Sequence, residues 1–222
     1  VFGPLLVLVE KVGVNLTSTN RKLRLEGGDI QISILPSLNL TYTTFKGEGS
    51  LRGSQGVACA HRCEFRVGAS IGGCYVTHLN SKSNKVKRDA GLQLELLPTC
   101  FMRATVWGDI GRLNFQGQHF ILSLLRHTQT HTAYVSDFAE CLPEFREFAQ
   151  ASCQTSSHVK LALALGWSVY AGTLEAKRAL ESMSIAPVYK CPVKGNGQDK
   201  FGCRTCKIGC NGKRNVVAHS AR

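Results

Sequence analysis

Short apolar runs alternate with amphipathic segments throughout the second half of the chain. Runs of apolar and β-branched residues predict strands, whereas apolar residues three and four positions apart, as at Phe120, Ile121, Leu124 and Leu125, predict helices. The predicted strands cover residues 101–107, 132–135, 149–153, 167–171 and 185–189, and the predicted helices cover residues 115–126, 143–148, 159–165 and 174–183. Gly166 stands where it would end the third helix.

The first hundred residues carry fewer regular patterns. Residues 30–35 alternate apolar and polar side chains as far as Pro36, which predicts one strand. The turn-forming composition of residues 43–56 predicts a loop. A leucine-rich stretch within residues 75–97 predicts a helix that leads to a turn at Pro98.

Strands that alternate with helices favour a parallel sheet built from β-α units. The chain has 222 residues, fewer than a complete eight-fold barrel usually needs, so an α/β fold with a partial or compact (β/α) barrel is expected. Three segments follow from the composition: an irregular segment with one strand (1–56), a barrel-like core (57–190) and a cysteine-rich metal-binding tail (191–222). In parallel sheets, function concentrates at the carboxyl ends of the strands.

The chain is strongly basic, with a formal net charge of +12. A distributed positive field attracts nucleotides or nucleic acid, although a solvated basic surface explains the same composition. The apolar stretch at residues 4–9 is short and lacks the basic start of a secretory signal, and no run is long enough for a membrane helix. We therefore expect a cytosolic protein with no membrane partner.

Three cysteines near the amino-terminal end form the first candidate metal site: Cys59, Cys63 and Cys74. Three thiolates leave one position of a 4Fe–4S cluster open, or leave a zinc ion to take water, His61 or His78 as its fourth ligand. Gly72 and Gly73 precede the third cysteine and let the backbone approach a cofactor closely. The alternative is that these thiols are buried as small apolar groups.

Four cysteines near the carboxyl end form a second candidate site: Cys191, Cys203, Cys206 and Cys210. The C-x2-C and C-x3-C spacings are too tight for independent disulfides but suit convergence on one metal. A Pro follows Cys191, as in ferredoxin ligand runs, which favours a 4Fe–4S cluster. A structural zinc site fits the spacing nearly as well. Cys100, Cys141 and Cys153 have no ligand spacing and are predicted to be buried.

Residues 59–63 followed by Gly-Gly-Cys-Tyr at 72–75 resemble the C-x3-C-x2-C segment of radical S-adenosylmethionine enzymes, with ten residues rather than two before the third cysteine. The chain also resembles a family of uncharacterised phage and plasmid proteins over about residues 19–219. The shared features are Asn-x-Lys at 20–22, an Arg-x-x-x-x-Gly-Asp strand end at 103–109, the strand of Tyr134, Gly-Trp at 166–167, the Cys-Pro and Cys-x2-Cys tail and Val-Val-x-His at 216–219. The resemblance implies an architecture and metal chemistry, but no substrate.

Two further residues are candidates for catalysis. Asp109 follows Gly108 at the end of a predicted strand, where a carboxylate holds a ribose or an amine or acts as a base. Its structural alternative is to cap the next helix. Tyr134 lies on the following strand, where it either faces the same mouth or packs as a strand aromatic. Ser152 and His158 lack the nucleophile-elbow motif, so we discard a hydrolase site.

The sequence therefore supports two main hypotheses for function. The first is an iron–sulfur, radical-SAM-like enzyme with one or two 4Fe–4S clusters, S-adenosylmethionine as a ligand and a nucleotide or nucleic acid as substrate. The second is a non-enzymatic, zinc-stabilised protein that binds nucleic acid or acts as a phage interaction protein. Colour and metal content distinguish the two.

Overall fold

The computed structural model describes residues 5–12, 29–36, 101–128, 130–183, 186–191 and 210–217. In these ranges it shows one eight-stranded sheet of order β1-β2-β3-β4-β5-β6-β8-β7. The strands are β1 (Leu5–Val12), β2 (Asp29–Pro36), β3 (Phe101–Trp107), β4 (Thr130–Val135), β5 (Gln150–Cys153), β6 (Val169–Ala171), β7 (Val188–Lys190) and β8 (Asn215–Val217).

Parallel pairing dominates the sheet. β1 pairs antiparallel with β2, and every neighbouring pair from β2 to β7 is parallel. This arrangement confirms the α/β class that the alternating pattern predicts. β1 was not predicted, because its apolar run was considered only as a signal or membrane segment.

Helices connect the parallel strands where the apolar spacing predicts them. They are α1 (Phe115–His127), α2 (Ser156–Ala164) and α3 (Leu174–Met183). Asn114 caps α1 by accepting the Gly117 N–H, and Thr155 caps α2 by accepting the His158 N–H. Residues 143–148, predicted as helical, form a 3₁₀ helix over Pro143–Glu147. The predicted helix end at Gly166 is confirmed, since this glycine has φ +76°.

The last strand of the sequence is not at the edge of the sheet. β8 lies between β6 and β7, with Val216 in register with both Tyr170 and Tyr189. Residues 215–217 belong to the segment that the sequence indicates as the metal-binding tail. The tail segment therefore contributes an interior strand next to the edge strand β7, and β7 joins the sheet through β8.

The two faces of the sheet have different surroundings. One face packs against α1, α2 and α3 in the main apolar core, to which the strands contribute Ala133, Val135, Ala151, Cys153, Val169, Ala171 and Val217. Because side chains alternate along a strand, Val216 lies on the opposite face. There it joins a second, smaller cluster with Cys191 and Cys210. The candidate site is on this second face, which we call the Val216 face.

Several predictions fall outside the described residues. These are the loop at 43–56, the helix within 75–97, the first cysteine group with its glycines, and Cys203 and Cys206. In the described part of the chain, no helix is long and apolar enough to cross a membrane.

Candidate metal centre

The first and last cysteines of the carboxy-terminal group lie together on the Val216 face. Cys191 follows β7 directly, and Cys210 precedes β8 by five residues. Both are buried, at 4% and 9% exposure, in one cluster with Val216. Cys191 is held by its own N–H, which donates to the Val217 carbonyl at 2.9 Å. The chain thus leaves this cluster at Cys191 and returns to it at Cys210.

Residues 210–214, which precede β8, accept hydrogen bonds from β4, from β5 and from the residue just before β6. Ala133 donates its backbone N–H to the Cys210 carbonyl at 3.1 Å. The Ser168 hydroxyl donates to the Gly212 carbonyl, and the Gln150 amide Nε2 donates to the Arg214 carbonyl. Asn215 completes the series by accepting the Val169 N–H at 2.8 Å. Cys210 is therefore positioned by contacts with β4, β5 and β6, distant in sequence.

Close packing around residues 210–214 requires a glycine at position 212. Its φ of +82° lies in the left-handed region. A Cβ added there would lie 2.4 Å from the Arg146 carbonyl oxygen and 2.8 Å from the Phe148 nitrogen. The backbone of residues 146–148 therefore leaves room for glycine alone.

Three tyrosines pack against the cysteine cluster: Tyr134 from β4, Tyr170 from β6 and Tyr189 from β7. All three are partly buried. The rings of Tyr134 and Tyr170 are 4.7 Å apart between centroids and tilted by 57°. The Arg214 guanidinium lies 5.2 Å from the centroid of the Tyr189 ring. Among the described residues, three aromatic rings therefore pack against the cluster that contains the two thiols.

Asp109 lies at the carboxyl end of β3, where it ties two loops together. Its Oδ2 accepts the Ser136 N–H at 2.7 Å, and its Oδ1 accepts the Gly111 N–H at 3.0 Å and the Asp137 N–H at 3.4 Å. The predicted capping role is present, since Asp109 caps the 3₁₀ helix Ile110–Arg112. Gly108, the preceding residue, has φ +75° and turns the chain out of β3.

Burial changes the chemistry of Asp109. Its side chain is 5% exposed, and desolvation raises its pKa from 3.8 to about 7, against the opposing effect of the backbone N–H donors. Burial, and then the nearby Asp109 and Asp137 carboxylates, raise the pKa of the Cys141 thiol well above its usual range. A carboxyl group that titrates near neutral pH suits acid–base chemistry, but its three backbone partners also give it a clear structural task.

Tyr134 and Asp109, predicted together as catalytic residues, have different surroundings. Tyr134 packs against the cysteine cluster, whereas Asp109 binds the backbone that follows β4. The packed aromatic alternative for Tyr134 therefore agrees with its contacts. Cys153 is buried as predicted, and Cys141 is half-buried. The remaining candidates, Cys59, Cys63, Cys74, Gly72, Gly73, Cys203 and Cys206, lie outside the described residues.

Sequence reasoning missed Tyr170 and Tyr189. Tyr170 lies on a three-residue strand with no candidate ligand near it in sequence. Tyr189 stands two residues before Cys191, so it shares a strand face with a candidate ligand. That spacing was a usable signal. Gln118 was also missed: its amide donates to the Leu113 and Glu140 carbonyls and accepts the Leu142 N–H, so α1 holds the loop after β4.

The four cysteines of the described part, Cys141, Cys153, Cys191 and Cys210, form no disulfide. Within the same residues, no three or more His, Cys, Asp or Glu side chains are grouped closely enough to hold a metal ion. Cys203 and Cys206 lie outside the described residues, so this finding concerns only Cys191 and Cys210 of the four carboxy-terminal thiols.

Comparison with models of protein families, with curated proteins and with solved structures found no match to this chain.

Proposed function

We propose that this chain is an iron–sulfur protein whose carboxy-terminal cysteines hold a 4Fe–4S cluster on the Val216 face of the sheet. One observation supports the proposal above all: Cys191 and Cys210 are buried in one cluster although 18 residues separate them in sequence. Those 18 residues include Cys203 and Cys206. A segment whose first and last cysteines lie in the same cluster is suited to bringing four thiolates to one metal centre.

The residues present fit such a group. Thiolates are the ligands of both iron–sulfur clusters and structural zinc. Backbone hydrogen bonds hold both described cysteines in position. The Cys191 N–H donates to the Val217 carbonyl in β8, and the Ala133 N–H in β4 donates to the Cys210 carbonyl. The low-polarity shell of Val216 and tyrosines is typical of a site that excludes water. The Cys-Pro and C-x2-C-x3-C pattern favours iron and sulfide over zinc.

The fuller proposal is a radical-SAM-like enzyme on a partial β/α barrel. In this proposal Cys59, Cys63 and Cys74 hold a second 4Fe–4S cluster, which would supply an open iron for S-adenosylmethionine. The parallel sheet supports the proposal, because its carboxyl ends gather loops such as those of Asp109 and Asp137. Exposed Lys190, Lys213 and Arg214, together with the net charge of +12, support a nucleotide or nucleic-acid substrate.

The alternative function is a zinc-stabilised, non-enzymatic protein that binds nucleic acid or a phage partner. Its support is the same pair of buried thiols, because a closed site of four cysteine thiolates is also the usual structural zinc site. The basic surface would then contact phosphates directly, and binding would weaken steeply with salt. Metal identity separates this alternative from the first proposal.

Metal and sulfide content, with an absorption spectrum, tests the proposal on protein purified without oxygen. About eight iron and eight sulfide per chain support two clusters, and about four of each support one. Cys206→Ala should then remove the carboxy-terminal cluster, and Cys63→Ala should remove the other. Zinc without iron would contradict the iron–sulfur proposal and favour the alternative.

Activity requires a separate measurement. With two clusters present, reductive cleavage of S-adenosylmethionine should occur in wild-type protein and in Cys153→Ala, whose thiol lies in the helix-side core. It should be abolished in Cys63→Ala, with a smaller loss of stability than Cys206→Ala causes. Equal destabilisation by Cys63→Ala and Cys206→Ala would contradict a catalytic role for the first group.

A further inference from the structure

The three tyrosines of the Val216 face come from separate strands, and the register of the sheet brings them together. Ser152, Tyr170, Val216 and Tyr189 form one continuous row across β5, β6, β8 and β7. Tyr134 pairs with Gln150, which is two residues before Ser152 on β5. All of these positions therefore share one face of the sheet.

That face is also the face of the two thiols. Cys191 stands two residues after Tyr189, and Cys210 clusters with Val216. The neighbouring rows, which contain Val169, Ala171 and Val217, point into the helix-side core instead. The tyrosine rings consequently pack against the cysteines and not against the helices.

Aromatic rings suit this position for two physical reasons. A tyrosine ring presents a large apolar surface and makes favourable contacts with sulfur, while its hydroxyl tolerates water at the other end. The rings are also braced. Tyr134 packs on Tyr170 at 4.7 Å, and the Arg214 guanidinium lies over Tyr189 at 5.2 Å. Braced, half-buried rings beside thiols limit the access of solvent.

We infer that Tyr134, Tyr170 and Tyr189 form an aromatic wall that shields the Cys191–Cys210 centre from water, oxygen and small chelators. The inference rests on the proposed function, because the shielded group is the metal that these thiols hold. The three tyrosines are positioning and shielding residues, since none is assigned a bond to the metal. The rings, more than the hydroxyl groups, should carry the effect.

The test compares ring removal with hydroxyl removal. Metal loss to EDTA is followed by the visible absorbance of an iron–sulfur centre, or by released zinc, in wild type, Tyr134→Ala, Tyr170→Ala and the matched Phe variants. We expect the Ala variants to lose metal roughly tenfold faster, as for other changes around a ligand shell, and the Phe variants to match wild type. Phe115→Ala, which removes a ring that is 66% exposed on α1, is the control.

Folding is checked separately by circular dichroism and thermal unfolding. Where Tyr170→Ala does not fold, Tyr170→Leu preserves an apolar side chain and should give an intermediate rate. Equal rates of metal loss in folded wild type and the Tyr134 and Tyr170 variants would overturn the wall. Phe variants as fast as Ala variants would also overturn it, because the hydroxyl groups would then be responsible.

A second readout separates this inference from the proposed function. Iodoacetamide labelling of Cys191 and Cys210, measured by mass spectrometry on metal-free protein, should be faster in the Ala variants than in wild type. A wild type without metal but with this difference in labelling would contradict the proposed function and support the wall. A wild type that holds metal but shows no difference in metal loss or labelling would overturn only the wall.

Discussion

The backbone N–H of Ser136 donates to Oδ2 of Asp109 at 2.7 Å, and this hydrogen bond joins the loop after β4 to the loop after β3. The carboxyl group accepts two further backbone N–H groups, from Gly111 and Asp137. Asp109 is buried, the hydrogen bond from Asp137 is buried as well, and those from Ser136 and Gly111 are partly buried. Loss of the carboxyl group would therefore leave donors that water reaches poorly.

Asp109→Ala should therefore destabilise the protein by about 1–3 kcal/mol, because the backbone N–H groups of Gly111, Ser136 and Asp137 lose their acceptor. Urea unfolding followed by circular dichroism measures the change. Asp109→Asn retains one acceptor oxygen and should cost less. Equal stability of wild type and Asp109→Ala would contradict the structural role of this residue.

The raised pKa of Asp109 predicts a specific dependence of stability on pH. Its pKa is 3.8 when unfolded and about 7 when folded, so between these values the folded state binds the proton and the unfolded state does not. The contribution of Asp109 is therefore fully present below pH 4 and is lost as pH rises through 7. The free energy of unfolding of wild type, relative to Asp109→Asn, should fall from pH 5 to pH 7.5. A constant difference across this range would contradict the raised pKa.

Gly212 and Gly166 provide a matched pair for backbone strain. Both have left-handed φ values, +82° and +76°. An added Cβ at Gly166 meets nothing within 4 Å, so Gly166→Ala should cost about 1–2 kcal/mol. At Gly212 the added Cβ meets the backbone of residues 146–148, so Gly212→Ala should cost clearly more and loosen the anchor of Cys210. Thermal unfolding of both variants measures the difference. Equal costs would contradict the close packing of residues 210–214.

Cys206→Ala should remove metal from the carboxy-terminal group and lower the melting temperature by several degrees, because a closed metal site contributes its binding energy to folding. Cys141→Ala is the control, since Cys141 is half-buried and lies beside Asp137 rather than in the cysteine cluster. Metal analysis and calorimetry are the measurements. A variant with wild-type metal content and melting temperature would contradict the four-thiol site.

Under the proposed function, removal of the metal should loosen β8 more than the rest of the sheet, because the proposed ligands Cys191 and Cys210 lie directly after β7 and shortly before β8. Hydrogen exchange should become faster at the amide of Cys191, which donates to Val217, when a chelator is added. The amide of Ala151, which donates to Ser168, is the internal control and should be unchanged. Uniform acceleration at both amides would indicate global unfolding, and no change at Cys191 would contradict the coupling.

Much of the regular structure was predictable because its signals are local. The spacing of Ile121, Leu124 and Leu125 places α1, and Asn114 marks its start within a residue or two. The alternating run before Pro36 identified β2. The alternation of predicted strands and helices over residues 101–190 identified an α/β fold. Each of these elements was predictable because the spacing of apolar residues reflects the local backbone geometry alone.

The candidate site was predictable only in part. Cysteine spacing singled out Cys191 and Cys210 as members of one group, and burial of Cys153 followed from its isolation. Tyr189 was not identified although it stands two residues before Cys191. Tyr170 was not identified because its packing against the cysteine cluster depends on which strands are neighbours. Strand neighbours are set by hydrogen bonds between distant segments, and no short stretch of sequence specifies them.

The sequence by itself determined the positions of the three helices and of β2 to β7, the excess positive charge and the two cysteine groups, because each depends on residue type and short-range spacing. The tertiary structure alone decided that β8 enters between β6 and β7, that Cys191 and Cys210 meet, and that three tyrosines surround them. These relationships arise from pairing across the sheet, where the partner of each backbone N–H and C=O is chosen by the whole fold.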